Sequence, residues 1–242
     1  MNMKNIAPQI ERVVPGIMED ISSVEKERPL KIIPAIMKKG IDNINLSMFN
    51  EELRRKLLNA TGDEYFKRGF IVEAIKAFTL TGNSQKLIEV GDHMVNTSMY
   101  THAIDAYSAG NSKDKLLWLG ERCLREGHFN EAIRAFKLVN DRDKLRNVGD
   151  ELFNKEKTEY AIKIFEFIGD KNKLTFIGNH CVNSRDYENA VRSFNLAKDR
   201  EGLNKVGDIF LKESLLNKAL EVYQLADNKI MISFIRENFF NE

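Results

Sequence analysis

Gly62, Gly91, Gly120, Gly149, Gly178 and Gly207 follow one another at a constant interval of 29 residues. A residue that occurs only 14 times in 242 positions does not fall into such register by chance. A fixed period of this length is the mark of one supersecondary unit repeated and stacked on itself. Other columns keep the same period. Leu58, Leu87, Leu116, Leu145, Leu174 and Leu203 precede the glycines by four residues, and Ala74, Ala103, Ala132, Ala161, Ala190 and Ala219 follow them by twelve. Four beyond each alanine stands an aromatic: Phe78, Tyr107, Phe136, Phe165, Phe194 or Tyr223. Counted from Arg55, six units run to Asn228, and they are numbered as repeats 1 (55–83) to 6 (200–228).

Each repeat reads as two helices. Ile75, Ile104, Ile133, Ile162, Val191 and Leu220 directly follow the alanines. Alanine, the next residue and the aromatic thus form an i, i+1, i+4 apolar stripe on a second helix. The first helix carries the Leu and Gly columns, joined three residues past the glycine by Tyr65, Met94, Cys123, Leu152, Cys181 or Phe210. These fall at i, i+4 and i+7, on one helical face. Asn83, Ser112, Asp141, Asp170, Asp199 and Asn228 form a column of residues whose short side chains accept from the free amides of a first turn, so each is expected to cap the helix that follows. All four prolines, Pro8, Pro15, Pro29 and Pro34, lie ahead of the first repeat, which leaves the rest of the chain free of helix breakers. No alternating strand pattern competes. A glycine within a helix costs about 1 kcal/mol against alanine, so six of them need a structural reason. The expected one is close approach of the two helices, glycine facing alanine, with the aromatics filling the seam to the next repeat.

Leu58, Gly62, Tyr65, Gly69, Ala74 and Phe78 resemble, in order and spacing, the tetratricopeptide repeat family, and the resemblance extends over residues 55 to 228. Gly127, Tyr100, Phe129 and Tyr187 match that family's inter-helix turn, whereas Glu156 and Arg185 replace its glycine and leave the turn shape there open. The unit is also shorter than the family's usual length of about 34 residues. In that respect it looks like the helical hairpins of clathrin heavy chain and vesicle-coat subunits. The resemblance implies an all-α, right-handed solenoid of antiparallel helix pairs, a TPR-like superhelix. Residues 1–54 are expected to hold an N-terminal helical cap with one degenerate repeat, placed at roughly 29–54 on the strength of Gly40 and Phe49. Ahead of it, Ile6, Ile10, Val13, Ile17 and Ile21 keep helical spacing across Pro15, as a packed cap or a detachable arm. Residues 229–242 are expected to form a terminal capping helix.

Thirty-seven Lys and Arg balance 36 Asp and Glu for a net charge of +1, which provides no general field for nucleic acid or anionic lipid. No apolar run reaches the ~18 residues of a membrane helix, and no signal segment opens the chain. With two distant cysteines, Cys123 and Cys181, a cytoplasmic location is expected. Neither cysteine has a catalytic companion. None of His93, His102, His128 and His180 has a ligand partner at both a metal-binding spacing and a convergent face, so no metal, cofactor or enzymatic activity is expected.

What remains is the repeat surface. Asp63, Asp92, Glu121, Asp150, Asn179 and Asp208 directly follow the glycines, an acidic ladder in five of six repeats. By resemblance this column lines the groove. Lys67, Arg125 and Lys212, four residues later, offer a competing account as simple i, i+4 pairs. Lys86, Lys115, Lys144 and Lys173 stand in first turns, where cations oppose the helix dipole, an arrangement suited to bridging acids of the neighbouring repeat. Ile88, Leu117, Trp118 and Phe176 occupy columns that hold Asn59, Arg146, Asn147 and Asn204 elsewhere, as partner anchors or as inter-repeat contacts. The expected function is non-catalytic binding of a basic or amphipathic peptide or protein along the concave face. The alternative is a structural subunit that assembles through its terminal helices, with Phe239 and Phe240 as the apolar contact.

Overall fold

The computed structural model describes residues 32–240. Among them are fourteen α helices and no strand. A short helix, α1 (Ile33–Lys39), and a 3-10 turn (Ile41–Asn43) precede six hairpins: α2 (Glu51–Lys67) with α3 (Ile71–Thr81), α4 (Ser84–Asn96) with α5 (Tyr100–Ala109), α6 (Lys113–Glu126) with α7 (Phe129–Val139), α8 (Arg142–Asn154) with α9 (Thr158–Ile168), α10 (Lys171–Asn183) with α11 (Tyr187–Ala197), and α12 (Arg200–Lys212) with α13 (Leu216–Leu225). A last helix, α14 (Lys229–Phe239), follows. The chain divides into two compact blocks, up to Leu119 and from Gly120 onward. Within each block, consecutive helices pack as pairs and helices two apart in the chain also touch, so both are all-α stacks of helix pairs.

The caps fall where the composition places them. Asn83, Asp141, Asp170, Asp199 and Asn228 each accept, through the side chain, from the backbone N–H three residues on. Each repeat then turns twice through a residue with positive φ. Gly69, Ser98, Gly127, Glu156, Arg185 and Ser214 do so between the two helices, and Gly82, Asn111, Asn140, Gly169, Lys198 and Asp227 at the end of the second. In the inter-helix turn the following N–H reaches back five residues, as from Lys157 to Leu152 at 2.8 Å and from Asp186 to Cys181 at 2.8 Å. This closes the αL hairpin turn common at helix ends. Glu156 (φ 60°) and Arg185 (φ 62°) therefore keep the turn that glycine makes elsewhere. The left-handed conformation costs a residue with a Cβ roughly 1–2 kcal/mol, which packing of the helices on either side offsets.

The glycines pack differently from the expectation. A Cβ on Gly62, Gly120 or Gly178 would lie 2.7, 2.7 or 2.6 Å from the ring of Phe78, Phe136 or Phe194, and on Gly91 or Gly207 2.4 or 2.7 Å from Tyr107 or Tyr223. On Gly149 it would meet Phe165 at 2.8 Å. Glycine thus makes room for the aromatic of its own repeat rather than for the alanine. The cause is leverage: a ring four residues past the alanine reaches across to the first helix, and only a missing side chain leaves it space. All six aromatics and all six alanines are fully buried, and the Leu column is buried beside them. Burying each ring contributes roughly 1.5–3 kcal/mol.

The ends depart from a seventh and eighth repeat. Residues 32–50 hold one helix and a 3-10 turn rather than a degenerate hairpin. Ile36 and Leu46 bury against Leu58, with Ile32, Ile41, Ile44 and Phe49 around them, and Asp42 pairs with Lys76. Asn50 caps α2 by accepting from Leu53 N–H at 2.8 Å. The first helix of repeat 1 thus begins before residue 55, inside the stretch read as a cap. Pro15 and the apolar series Ile6 to Ile21 lie outside the described residues. In α14 only Ile235 is buried. Phe239 occupies the column that is buried in every complete repeat, yet it is 50% exposed.

Candidate functional site

The first four acids of the ladder each meet a lysine from the first turn of the next repeat's first helix. Lys86 Nζ lies 3.1 Å from Asp63, Lys115 2.7 Å from Asp92, Lys144 2.6 Å from Glu121 and Lys173 2.7 Å from Asp150. The lysines also lean on the buried aromatics, with Lys115, Lys144 and Lys173 each 5.9 Å from the ring centre of Tyr107, Phe136 and Phe165. Glycine, ring, lysine and acid therefore form one rung that ties a repeat to its successor. The partner of these acids is this lysine, not Lys67 or Arg125. Asp208 accepts from Tyr223 Oη at 2.6 Å, and Tyr107 Oη likewise donates to Asp92 at 2.5 Å. Burial raises the Asp92 pKa, and the bonds from Lys115 and Tyr107 outweigh it, so the net shift is downward. Burial, helped by Asp92, raises the phenol of Tyr107.

This geometry changes what the acidic column offers a partner. Four of its five carboxylates are compensated within about 3 Å by an ammonium of the same chain. The isolated negative strip expected from the sequence is instead a row of ion pairs, each worth roughly 0.2–1 kcal/mol at this exposure. In repeat 5 the rung is absent on both sides: Asn179 replaces the acid and Gly202 the lysine. Phe194 lies in the space so freed, where a Cβ on Gly202 would meet it at 2.3 Å.

The apolar candidates separate into two groups. Asn59 accepts from Asn83 Nδ2 at 2.9 Å, Arg146 donates to Asp170 at 3.3 Å, Thr175 to Asp199 at 3.1 Å, and Asn228 Nδ2 to Asn204 at 2.7 Å. That column therefore reaches the cap of the next repeat, and Ile88 and Leu117, both half-buried, are its apolar members. Trp118 and Phe176 stand one residue further round the helix and are 45% and 58% exposed. Phe176 packs edge-on against Phe153 (5.8 Å, 68°), which also meets His180 (5.1 Å, 77°). Alongside, Glu121, Leu124 and Arg125 of α6 face Lys144, Asn147, Val148 and Glu151 of α8 across a cleft of about 490 Å³.

Sequence reasoning missed Phe153 and did not place Phe234 in the column of Trp118 and Phe176. Phe153 belongs to an apolar column (Phe66, Val95, Leu124, Phe153, Val182, Leu211) that the repeat period reveals. Phe66 meets His93 edge-on at 5.2 Å in the same manner. Phe234 stands two repeat lengths after Phe176, which stands two after Trp118, with Asn147 and Lys205 between them. Phe234 is 46% exposed and packs against Phe239 at 6.1 Å.

Among the described residues no three His, Cys, Asp or Glu are placed to hold a metal ion, and no helix is long and apolar enough to cross a membrane. Cys123 and Cys181 are buried, which pushes each thiol up to about 11, away from the reactive thiolate.

No protein-family model matches the chain, and no curated protein matches it. Among solved structures, it is similar to a circular tandem repeat protein with novel repeat topology and enhanced subunit contact surfaces, at 14% identity and a TM-score of 0.14. The match covers 96% of this chain, which spans about half (53%) of that protein.

Proposed function

We propose that the chain is a non-catalytic binding module of the tetratricopeptide-like kind, which holds a peptide or protein segment against the first helices of its repeats. The observation that carries this reading is the exposure of large aromatics there. Phe176 is 58% exposed on a column that is Asn147 and Lys205 in the flanking repeats. A folded chain gains nothing from placing a phenyl ring in water where its neighbours place amides and ammonium groups, whereas a partner that covers the ring does. Phe153 holds the ring edge-on and is itself braced by His180, so the Phe176 ring is preset for contact. Since the ladder carboxylates are paired internally, the apolar side chains of the partner supply most of the affinity, and polar groups along the cleft set its register.

Tagged full-length chain should retain a protein from lysate of its source, identified by mass spectrometry, and Phe176→Ala should release it mainly through faster dissociation. Retention of the same protein by the variant at an unchanged dissociation rate argues against this face. Phe239 favours a second reading, self-assembly through α14, because it is apolar, half-exposed and in a column otherwise buried. Sedimentation at micromolar concentration discriminates: a species well above 27.9 kDa that Phe240→Glu abolishes supports assembly.

A further inference from the structure

The second helices carry a surface that the first-helix reading does not use. Two residues past each buried aromatic stand Leu80, Ala109, Leu138, Phe167, Leu196 and Leu225, apolar in all six repeats. They are not core. Leu138 is 45%, Phe167 42% and Leu225 47% exposed, and Leu196 is half-buried. In the block from Gly120 onward, α7 packs on α9 and α9 on α11, so Leu138, Phe167 and Leu196 sit on successive neighbouring helices. The ammonium of Lys137 on α7 lies 4.8 Å from the centre of the Phe167 ring on α9, which fixes the two ends of those helices side by side.

The charges along this ridge differ from those of the rungs. Four and one residues before each ridge residue on α7, α9 and α11 come Arg134, Lys137, Lys163, Glu166, Arg192 and Asn195, four cations against one carboxylate. The rung lysines Lys86, Lys115, Lys144 and Lys173 each hold an acid. Lys137 and Lys163 instead rest on aromatic rings, Lys163 at 5.0 Å from Tyr160 and 3.5 Å from the Asn130 side-chain oxygen. Glu131, Glu159 and Glu188 stand one turn before Arg134, Lys163 and Arg192, toward the start of each helix. On α13 the cationic rows end in Glu221 and Gln224, which confines the basic stretch to α7, α9 and α11.

We infer that this ridge is a second docking surface, for an acidic amphipathic helical segment of a partner protein. Its apolar side chains lie on Leu138, Phe167 and Leu196, and its carboxylates meet Lys137, Lys163 and Arg192. The geometry suits a helix laid across the three. Packed helices are about 8–10 Å apart, and residues i and i+7 of a helix are about 10.5 Å apart along its axis. Leucines at i, i+7 and i+14 thus match three successive ridge residues, with acids on either side facing the cations.

The probe is a fluorescein-labelled 18-residue helical peptide with Leu on one face and Glu on the flanks, measured by anisotropy against the full chain. The control peptide carries Lys for Glu. The Glu peptide should bind, weaken at least tenfold between 50 and 300 mM salt, and weaken at least tenfold with Lys163→Glu/Arg192→Glu or with Phe167→Ser. Arg55→Glu/Lys56→Glu on α2 makes the same change in net charge and should leave the affinity unchanged. None of these positions is buried, and a thermal melt confirms that each variant folds. The proposal is overturned if the Lys peptide binds as well as the Glu peptide, if the ridge variants bind as wild type does, or if the chain binds phosphatidylserine-containing vesicles and not the peptide. None of these outcomes bears on Phe176, so the two faces stand or fall separately.

Discussion

Repeats 3 and 5 share a backbone and differ in how they close around the same ring. In repeat 3, Phe136 lies between Gly120 and the stem of Lys144, whose ammonium reaches Glu121 at 2.6 Å. In repeat 5, Phe194 lies between two glycines, Gly178 and Gly202, with Asn179 in place of the acid. Beside it Ser193, in a column that is alanine in repeats 1 to 3, has a buried hydroxyl with no hydrogen-bond partner. Both rings are fully buried. The fit of glycine to ring is thus what every repeat needs, and the charged rung is an addition that repeat 5 lacks on both sides. Repeat 6 keeps the acid alone, with Met231 in the lysine column, and there Asp208 accepts from Tyr223 Oη at 2.6 Å, a bond that the phenyl ring of Phe194 does not offer in repeat 5.

The comparison breaks at its strongest point if the ring is not the common element. Phe136→Ala and Phe194→Ala should each cost about 3–5 kcal/mol, by urea denaturation followed by circular dichroism. A loss in repeat 5 below half of that in repeat 3 would mean that the second glycine leaves Phe194 loosely held. The glycines come next. Gly120→Leu should destabilise by about 2 kcal/mol or more, since overpacking against Phe136 exceeds the gain in helix propensity. Gly202→Ala should also destabilise, since its Cβ would lie 2.3 Å from the Phe194 ring, but by less, because alanine adds a single carbon where leucine adds four. A melting temperature at or above wild type for Gly120→Leu would sink the close-fit account.

Two smaller effects sharpen the contrast. Ser193→Ala should stabilise by about 1 kcal/mol, as it removes a buried hydroxyl without a partner and restores the residue of repeats 1 to 3; an unchanged midpoint would imply that the hydroxyl is satisfied by water. Lys144→Met keeps the stem over Phe136 and removes the charge. It should cost only about 0.2–1 kcal/mol, and the loss should shrink as salt rises. A salt-independent loss would assign the effect of Lys144 to its packing on the ring rather than to Glu121.

The number of repeats, their two-helix form, their caps and their buried columns were legible in the sequence, because each follows from local pattern. A capping side chain acts within one turn, and an apolar stripe is defined by helical period alone. What the tertiary structure decided are contacts between columns that no local rule connects. Glycine accommodates the ring of the second helix rather than the alanine nearer in sequence, and an acid finds its lysine in the following repeat. Glu156 and Arg185 hold a left-handed turn that their side chains disfavour. The apolar ridge of Leu138, Phe167 and Leu196 stays in water although the period of its column equals that of the core. The physical reason is common to all four. Periodicity tells which residues are equivalent, but the lateral offset between packed helices decides which of them meet, and that offset is set by how rings and helix backbones fit together in three dimensions.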